Sequence, residues 1–123
     1  LPIYLGRQMN QVFVGISFGI LRRKLKYLCE MNGIRYVEQE ESYTSMASFW
    51  DLDEMPVYGE AGLVPPVFSG RRICRGLYQD RSGRRINADV NGALNIMRKC
   101  NIVSLRALYD RGDVDTPVRI RIA

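Results

Sequence analysis

The clearest apolar periodicity in the chain runs through Phe18, Leu21, Leu25 and Leu28, at intervals of three, four and three residues. That spacing puts all four on one face of an α-helix. Arg22, Arg23, Lys24 and Lys26 fall largely on the opposite face. The pattern predicts a helix over about 17–32, with Ser17 as its N-cap and Gly33 as its C-cap. Val12–Ile16 offers one more turn ahead of it, which Gly15 and Gly19 weaken. Leu1–Leu5 is apolar, ends at Gly6 and reads as a short strand. Ile34–Val37 alternates and is rich in strand formers, so a second strand is expected to leave the helix.

From Glu38 to Arg85 the character changes. Pro56, Pro65, Pro66 and several glycines separate short apolar runs such as Met55–Tyr58 and Val64–Phe68, so loops and short hairpins are expected. A second helix follows over Ala88–Lys99, with Val90, Ala93, Leu94 and Met97 as its apolar stripe. Asn87 can cap that helix, and Arg98 and Lys99 suit its C-terminal end. Val103–Tyr109 reads as a short helix. Val118–Ile122 alternates like an edge strand or is disordered.

Composition narrows the class. With 123 residues, 46% of them apolar, the chain suits one domain spanning 1–123. No apolar run approaches the roughly 20 residues of a membrane helix, so a soluble, cytoplasmic (nucleoid-associated) protein with no membrane partner is expected. The formal charge of +5 favours a polyanionic partner. Cys29, Cys74 and Cys100 are far apart, and there is no histidine. A structural zinc site wants four close-spaced Cys or His ligands, so none is expected. Ser42, Thr44 and Ser45 lack a histidine to activate them, which excludes a serine hydrolase of the usual triad kind.

Two stretches could carry chemistry. Arg71, Arg72, Arg75, Arg81, Arg84 and Arg85, interleaved with Tyr78, suit phosphate contact and base stacking. They equally suit a solvated hairpin whose arginines pair with acids such as Asp80. The run Asn87-Ala88-Asp89-Val90-Asn91-Gly92-Ala93 places a carboxylate in the first turn of a helix. There Asp89 either favours the helix dipole, an effect of about 0.3–1 kcal/mol, or ligates a divalent metal through a hard oxygen. Glu38, Glu40, Glu41, Asp51, Asp53 and Glu54 form either a solvated acidic loop or a set of ligands and bases.

Three segments together resemble the OrfB/TnpB-type transposon proteins, relatives of the type V CRISPR effectors. The first is Asn10-Gln11 with Phe13, the Leu21/Leu25/Tyr27 helix and Gly33-Ile34. The second is Glu40-Glu41-Ser42-Tyr43-Thr44-Ser45 followed by Ser48-Phe49 and Asp51. The third joins Gly70–Ile73, Arg75–Tyr78 and Ile86–Ile96. The resemblance covers about residues 10–100, with the motifs in the family's order.

It implies an α/β architecture, a partial RNase H-like (RuvC-like) domain formed by 1–38 and 86–123, with a ribbon-like loop or hairpin inserted at 39–85. It further implies that the chain is the C-terminal part of a transposon-encoded, RNA-guided, magnesium-dependent DNA endonuclease. In such a transposase-like protein Asp89 would be the third catalytic acid and a magnesium ligand, and the partners would be DNA and guide RNA. The other two acids have no counterpart here, so cleavage by this chain alone is not expected. The family's four-cysteine zinc ribbon is degenerate here, because only Cys74 remains in its place. Packing of Phe49, Trp50, Tyr58, Phe68 and Tyr78 is expected to hold the insert instead. The competing reading is a non-catalytic nucleic-acid-binding module that works through the arginine segment.

Overall fold

The chain folds as two compact units, Leu1–Glu38 and Gln39–Ala123. The computed structural model describes residues 7–59, 62, 65–112, 114–115 and 118–122. The strand expected at Leu1–Leu5 lies outside the described residues.

The first unit is built on α1, Arg7–Met31. The helix starts ten residues before the expected Ser17, because Gln8, Met9 and Gln11 are good helix formers and neither glycine suffices to interrupt it. Ser17 is therefore not a cap. Its hydroxyl donates back to the Phe13 carbonyl at 3.2 Å, a mid-helix bond one turn away. The C-terminal expectation holds in detail: Gly33 sits at φ +66°, Ile34 N–H donates to Cys29 O at 2.8 Å, and Gly33 N–H donates to Glu30 O at 3.3 Å. That pair of bonds is the Schellman arrangement, which glycine enters without steric cost. Ile34–Val37 forms no strand. Alternating residues become a strand only with a ladder partner, and none exists for this segment among the described residues. Phe18, Leu21, Leu25 and Leu28 stay exposed.

The second unit holds a three-stranded antiparallel sheet in the order β1 (Arg71–Cys74), β2 (Leu77–Gln79), β3 (Arg85–Asn87). Arg75-Gly76 closes the first hairpin, with Gly76 at φ +79°. The second turns at Asp80, which accepts the Arg84 N–H at 2.7 Å on its carboxylate while its own N–H donates to Arg84 O at 2.9 Å. β3 passes directly into α2, Ala88–Cys100. The Ala88 N–H donates to Gly76 O at 2.9 Å, so the helix starts against the tip of the hairpin. A short α3, Arg106–Arg111, ends at Gly112 with φ +72°, shifted a few residues beyond the expected Val103–Tyr109. Val118–Ile122 forms no strand and is exposed.

Register sets the core. Tyr78 pairs with Ile86 across β2 and β3, and both side chains are buried. They pack with Phe49, Trp50, Ala88 and Leu94, and with the half-buried Val90, Leu105, Leu108 and Val114. Phe49 and Trp50 meet edge to face at 5.1 Å, a geometry aromatic quadrupoles favour. Of the five aromatics expected to hold the insert, Phe49, Trp50 and Tyr78 do so. Tyr58 is exposed and Phe68 half-buried.

The buried face of α2 also differs from expectation. Ala88, Asn91, Leu94 and Asn95 face inward, whereas Ala93 and Met97 are exposed. The reason is chemical. This face meets the backbone of residues 44–49, whose polar groups need hydrogen-bond partners that a purely apolar stripe could not supply.

Candidate nucleic-acid interface

Asn87 is the N-cap of α2: its Oδ1 accepts from Asp89 N–H at 2.9 Å and Val90 N–H at 3.1 Å. Its own N–H donates to Asp115 Oδ2 at 2.9 Å, a long-range brace the sequence does not announce. Asp89 is thereby relieved of capping. Its side chain is exposed and engages no hydrogen bond or ion pair among the described residues. The other amides of the motif turn inward. Asn91 Nδ2 donates to Ala47 O at 2.8 Å and Asn91 Oδ1 accepts Phe49 N–H at 3.0 Å. Asn95 Nδ2 donates to both Thr44 O and Ala47 O.

Asp89 offers one hard oxygen donor group, and no set of three or more His, Cys, Asp or Glu converges on a metal position among the described residues. These residues do not assemble a magnesium site by themselves. Asp53, Asp51 and Glu40 are committed elsewhere. Asp53 accepts Ser48 N–H and Ser69 N–H, each at 2.9 Å, together with the Ser69 hydroxyl. Burial alone would raise its carboxyl, but the Ser69 and Ser48 hydrogen bonds and the nearby Arg98 outweigh that and hold it below the ordinary range. Asp51 accepts Arg81 N–H at 2.9 Å. Glu40 pairs with Lys99, which also donates to Ser42 O at 2.9 Å. The Lys99 hydrogen bond, seconded by Ser42, lowers the Glu40 carboxyl to about 2. The three hydroxyls considered as nucleophiles include Thr44, which donates to Glu41 O, and Ser42, which accepts Tyr58 N–H.

The arginines divide into two groups. Arg71 pairs with Gln79, and Gln79 with Arg85, so the three form one row across all three strands. Because Tyr78 and Ile86 point to the core, this row lies on the opposite face, and Arg71 and Arg85 are exposed. Arg72, which pairs with Tyr78 and so alternates to the other face from the row, and Arg75, in the hairpin turn, are exposed too. Arg81 and Arg84 are partly engaged. The Arg81 guanidinium donates to Ser69 Oγ at 3.0 Å. Arg84 lies 4.6 Å from the Trp50 ring centroid and 4.0 Å from Asp80.

Tyr78 requires a correction. It is 1% exposed, and its hydroxyl donates to Met46 O at 2.8 Å, so its ring cannot stack on a base. Burial, together with the charges of Asp53, Asp51 and Asp80, pushes its phenol up to about 12. Gly70 precedes the arginine pair and fits closely behind it. A Cβ there would lie 2.5 Å from Gln79 O and 2.6 Å from Tyr78 Cε1. Cys74 and Cys100 are free thiols in this unit.

An antiparallel ribbon that runs straight into a capped helix, with exposed arginines across its outer face, defines a small sheet-and-helix module with a basic surface. The family model described as Cas12f1-like, TNB domain, matches residues 18–96. The chain belongs to that family, which makes it a relative of the TnpB/Cas12-type proteins. No curated protein and no solved structure matches it. No helix among the described residues is long and apolar enough to cross a membrane.

Proposed function

We propose that this chain is a nucleic-acid-binding part of a TnpB/Cas12-type nuclease, gripping phosphates with the exposed arginines of its ribbon. The observation that carries the reading is the Arg71–Gln79–Arg85 row, two exposed guanidiniums flanking an amide across three strands. Arginine forks bind phosphate oxygens bidentately and need no sequence information to do so. DNA is the partner proposed, with guide RNA as the second polyanion. Binding of a labelled oligonucleotide, followed at several salt concentrations, tests this. Replacing Arg71 and Arg85 by alanine is expected to weaken binding and to lower the salt slope by about one unit for each phosphate no longer held. Unchanged affinity and slope in that variant would remove the reading.

A second role is supported by Asp89, whose carboxylate is exposed and excused from capping by Asn87. In a partial RNase H-like domain it would be one of several acids that hold magnesium for phosphodiester cleavage. A nuclease carrying this chain is then expected to lose magnesium-dependent cleavage on Asp89→Ala while it keeps nucleic-acid affinity. Full cleavage by the variant would leave Asp89 with no catalytic part.

A further inference from the structure

We infer that Asp115 is a positioning residue for Asp89, aiming that carboxylate by bracing the residue that caps its helix. The inference rests on the Asp89 reading above and adds the group that fixes it in place. Four successive backbone N–H groups at the start of α2 each have a partner. Asn87 N–H donates to Asp115 Oδ2 at 2.9 Å, and Ala88 N–H donates to Gly76 O at 2.9 Å. Asp89 N–H and Val90 N–H both donate to Asn87 Oδ1. The Asp89 carboxylate takes none of these donors and stays exposed.

Two of the partners come from distant parts of the chain. Gly76 lies in the turn of the first hairpin and Asp115 lies beyond α3, so the junction of β3 and α2 is held by two separate segments. The Asp115 bond is not needed to satisfy its donor. Asn87 ends β3, an edge strand, and is exposed, so water could take its N–H. What the carboxylate adds is direction, because a charged acceptor makes a shorter and stronger bond than a neutral one. Asp115 is itself delivered by its neighbour: the half-buried Val114 packs against the core of the unit.

The contacts therefore run in series from the core to Asp89. Val114 places Asp115, Asp115 holds the Asn87 backbone, and the Asn87 amide holds the first turn of α2. A turn of the Asn87 peptide would swing the cap, and Asp89 with it. Groups that orient a metal ligand from behind cost about 10–100-fold in metal affinity or activity when removed. Asp115 occupies that place for Asp89, through one intervening residue.

The test has two parts. In the chain itself, Asp115→Ala is expected to speed hydrogen exchange severalfold at the Asp89 and Val90 amides. The Asn101 amide, which donates to Met97 O at the other end of α2, should keep its rate. In a nuclease carrying this chain, Asp115→Ala is expected to lower magnesium-dependent cleavage about tenfold and to raise the magnesium needed for half-maximal rate, with DNA affinity unchanged. Asp115→Asn keeps an acceptor for Asn87 N–H and is expected to restore both exchange and cleavage. Parental exchange rates in Asp115→Ala would overturn the brace. Full cleavage by Asp115→Ala, with Asp89→Ala inactive, would overturn the positioning role and leave the Asp89 reading intact. Full cleavage by Asp89→Ala would overturn both together. Asp115→Asn as impaired as Asp115→Ala would also overturn the inference, since the charge and not the bond would then be what acts.

Discussion

Asn91 and Phe49 are joined across 42 residues of chain by a buried hydrogen bond, Phe49 N–H to Asn91 Oδ1 at 3.0 Å. The same amide turns its Nδ2 to Ala47 O at 2.8 Å. One side chain thus satisfies a donor and an acceptor of a backbone segment that has no ladder or helix of its own to do so. Asn95, one turn further along α2, repeats the service for Thr44 O and Ala47 O. The amides of this motif are therefore explained by folding, and its carboxylate is not.

Asn91→Ala leaves Phe49 N–H buried without its partner, while Ala47 O keeps Asn95. An unsatisfied buried donor costs about 1–3 kcal/mol, so the urea midpoint should fall accordingly. Asn91→Asp should destabilise at least as much, because it keeps the acceptor for Phe49 but buries a negative charge against the Ala47 carbonyl. A midpoint equal to the parent's in both variants would show that the amide clamp is idle.

Tyr78 should give a late step in a spectroscopic titration of phenolate formation, because burial pushes its phenol up to about 12. Its pKa is raised in the folded state to about 12 from an ordinary 10, so its contribution to stability is complete below pH 10 and is lost as pH rises through 12. The chain should therefore lose stability across that alkaline window. Tyr78→Phe should remove the late transition and cost about 0.5–1.5 kcal/mol for the missing bond to Met46 O. An unaltered titration curve for the variant would reassign the shifted group.

Gly70→Ala should destabilise the sheet, because the new methyl meets the Gln79 carbonyl at 2.5 Å and that backbone is held in the β2 ladder. Overpacking of this kind typically costs about 1–3 kcal/mol. Arg71 is the next residue, so oligonucleotide affinity should fall as well. A variant of parental stability and affinity would mean that β1 can move away without consequence.

Much of the second unit was legible in advance. Asn87 as cap, a helix beginning at Ala88 and an arginine hairpin follow from local residue types, and local rules govern them. The inward amides of α2 were not legible, because periodicity weighs apolar residues and Asn91 reads as surface. Tyr78, read both as packing and as stacking on a base, does only the first. Whether an alternating residue faces the core or solvent depends on strand register, which its pairing with Ile86 decides. The strand expected at Ile34–Val37 failed because strand propensity cannot supply a neighbour. The Asp115 brace on Asn87 joins residues 28 apart, and no local pattern signals it. The family resemblance read from three ordered motifs is upheld by the match over residues 18–96.

Asp53 holds Ser69 by backbone and side chain, and the Arg98 guanidinium donates to the Asp53 carbonyl. The stretch between Asp53 and Ser69 is thus tied off at its base. Lengthening a closed loop adds only about 0.6 kcal/mol of closure cost per doubling. Among related chains, insertions and deletions should accumulate between Tyr58 and Pro65, while an acid at 53 and a hydroxyl at 69 are retained. The tie makes this stretch a place where descent can vary size without disturbing the ribbon or its helix.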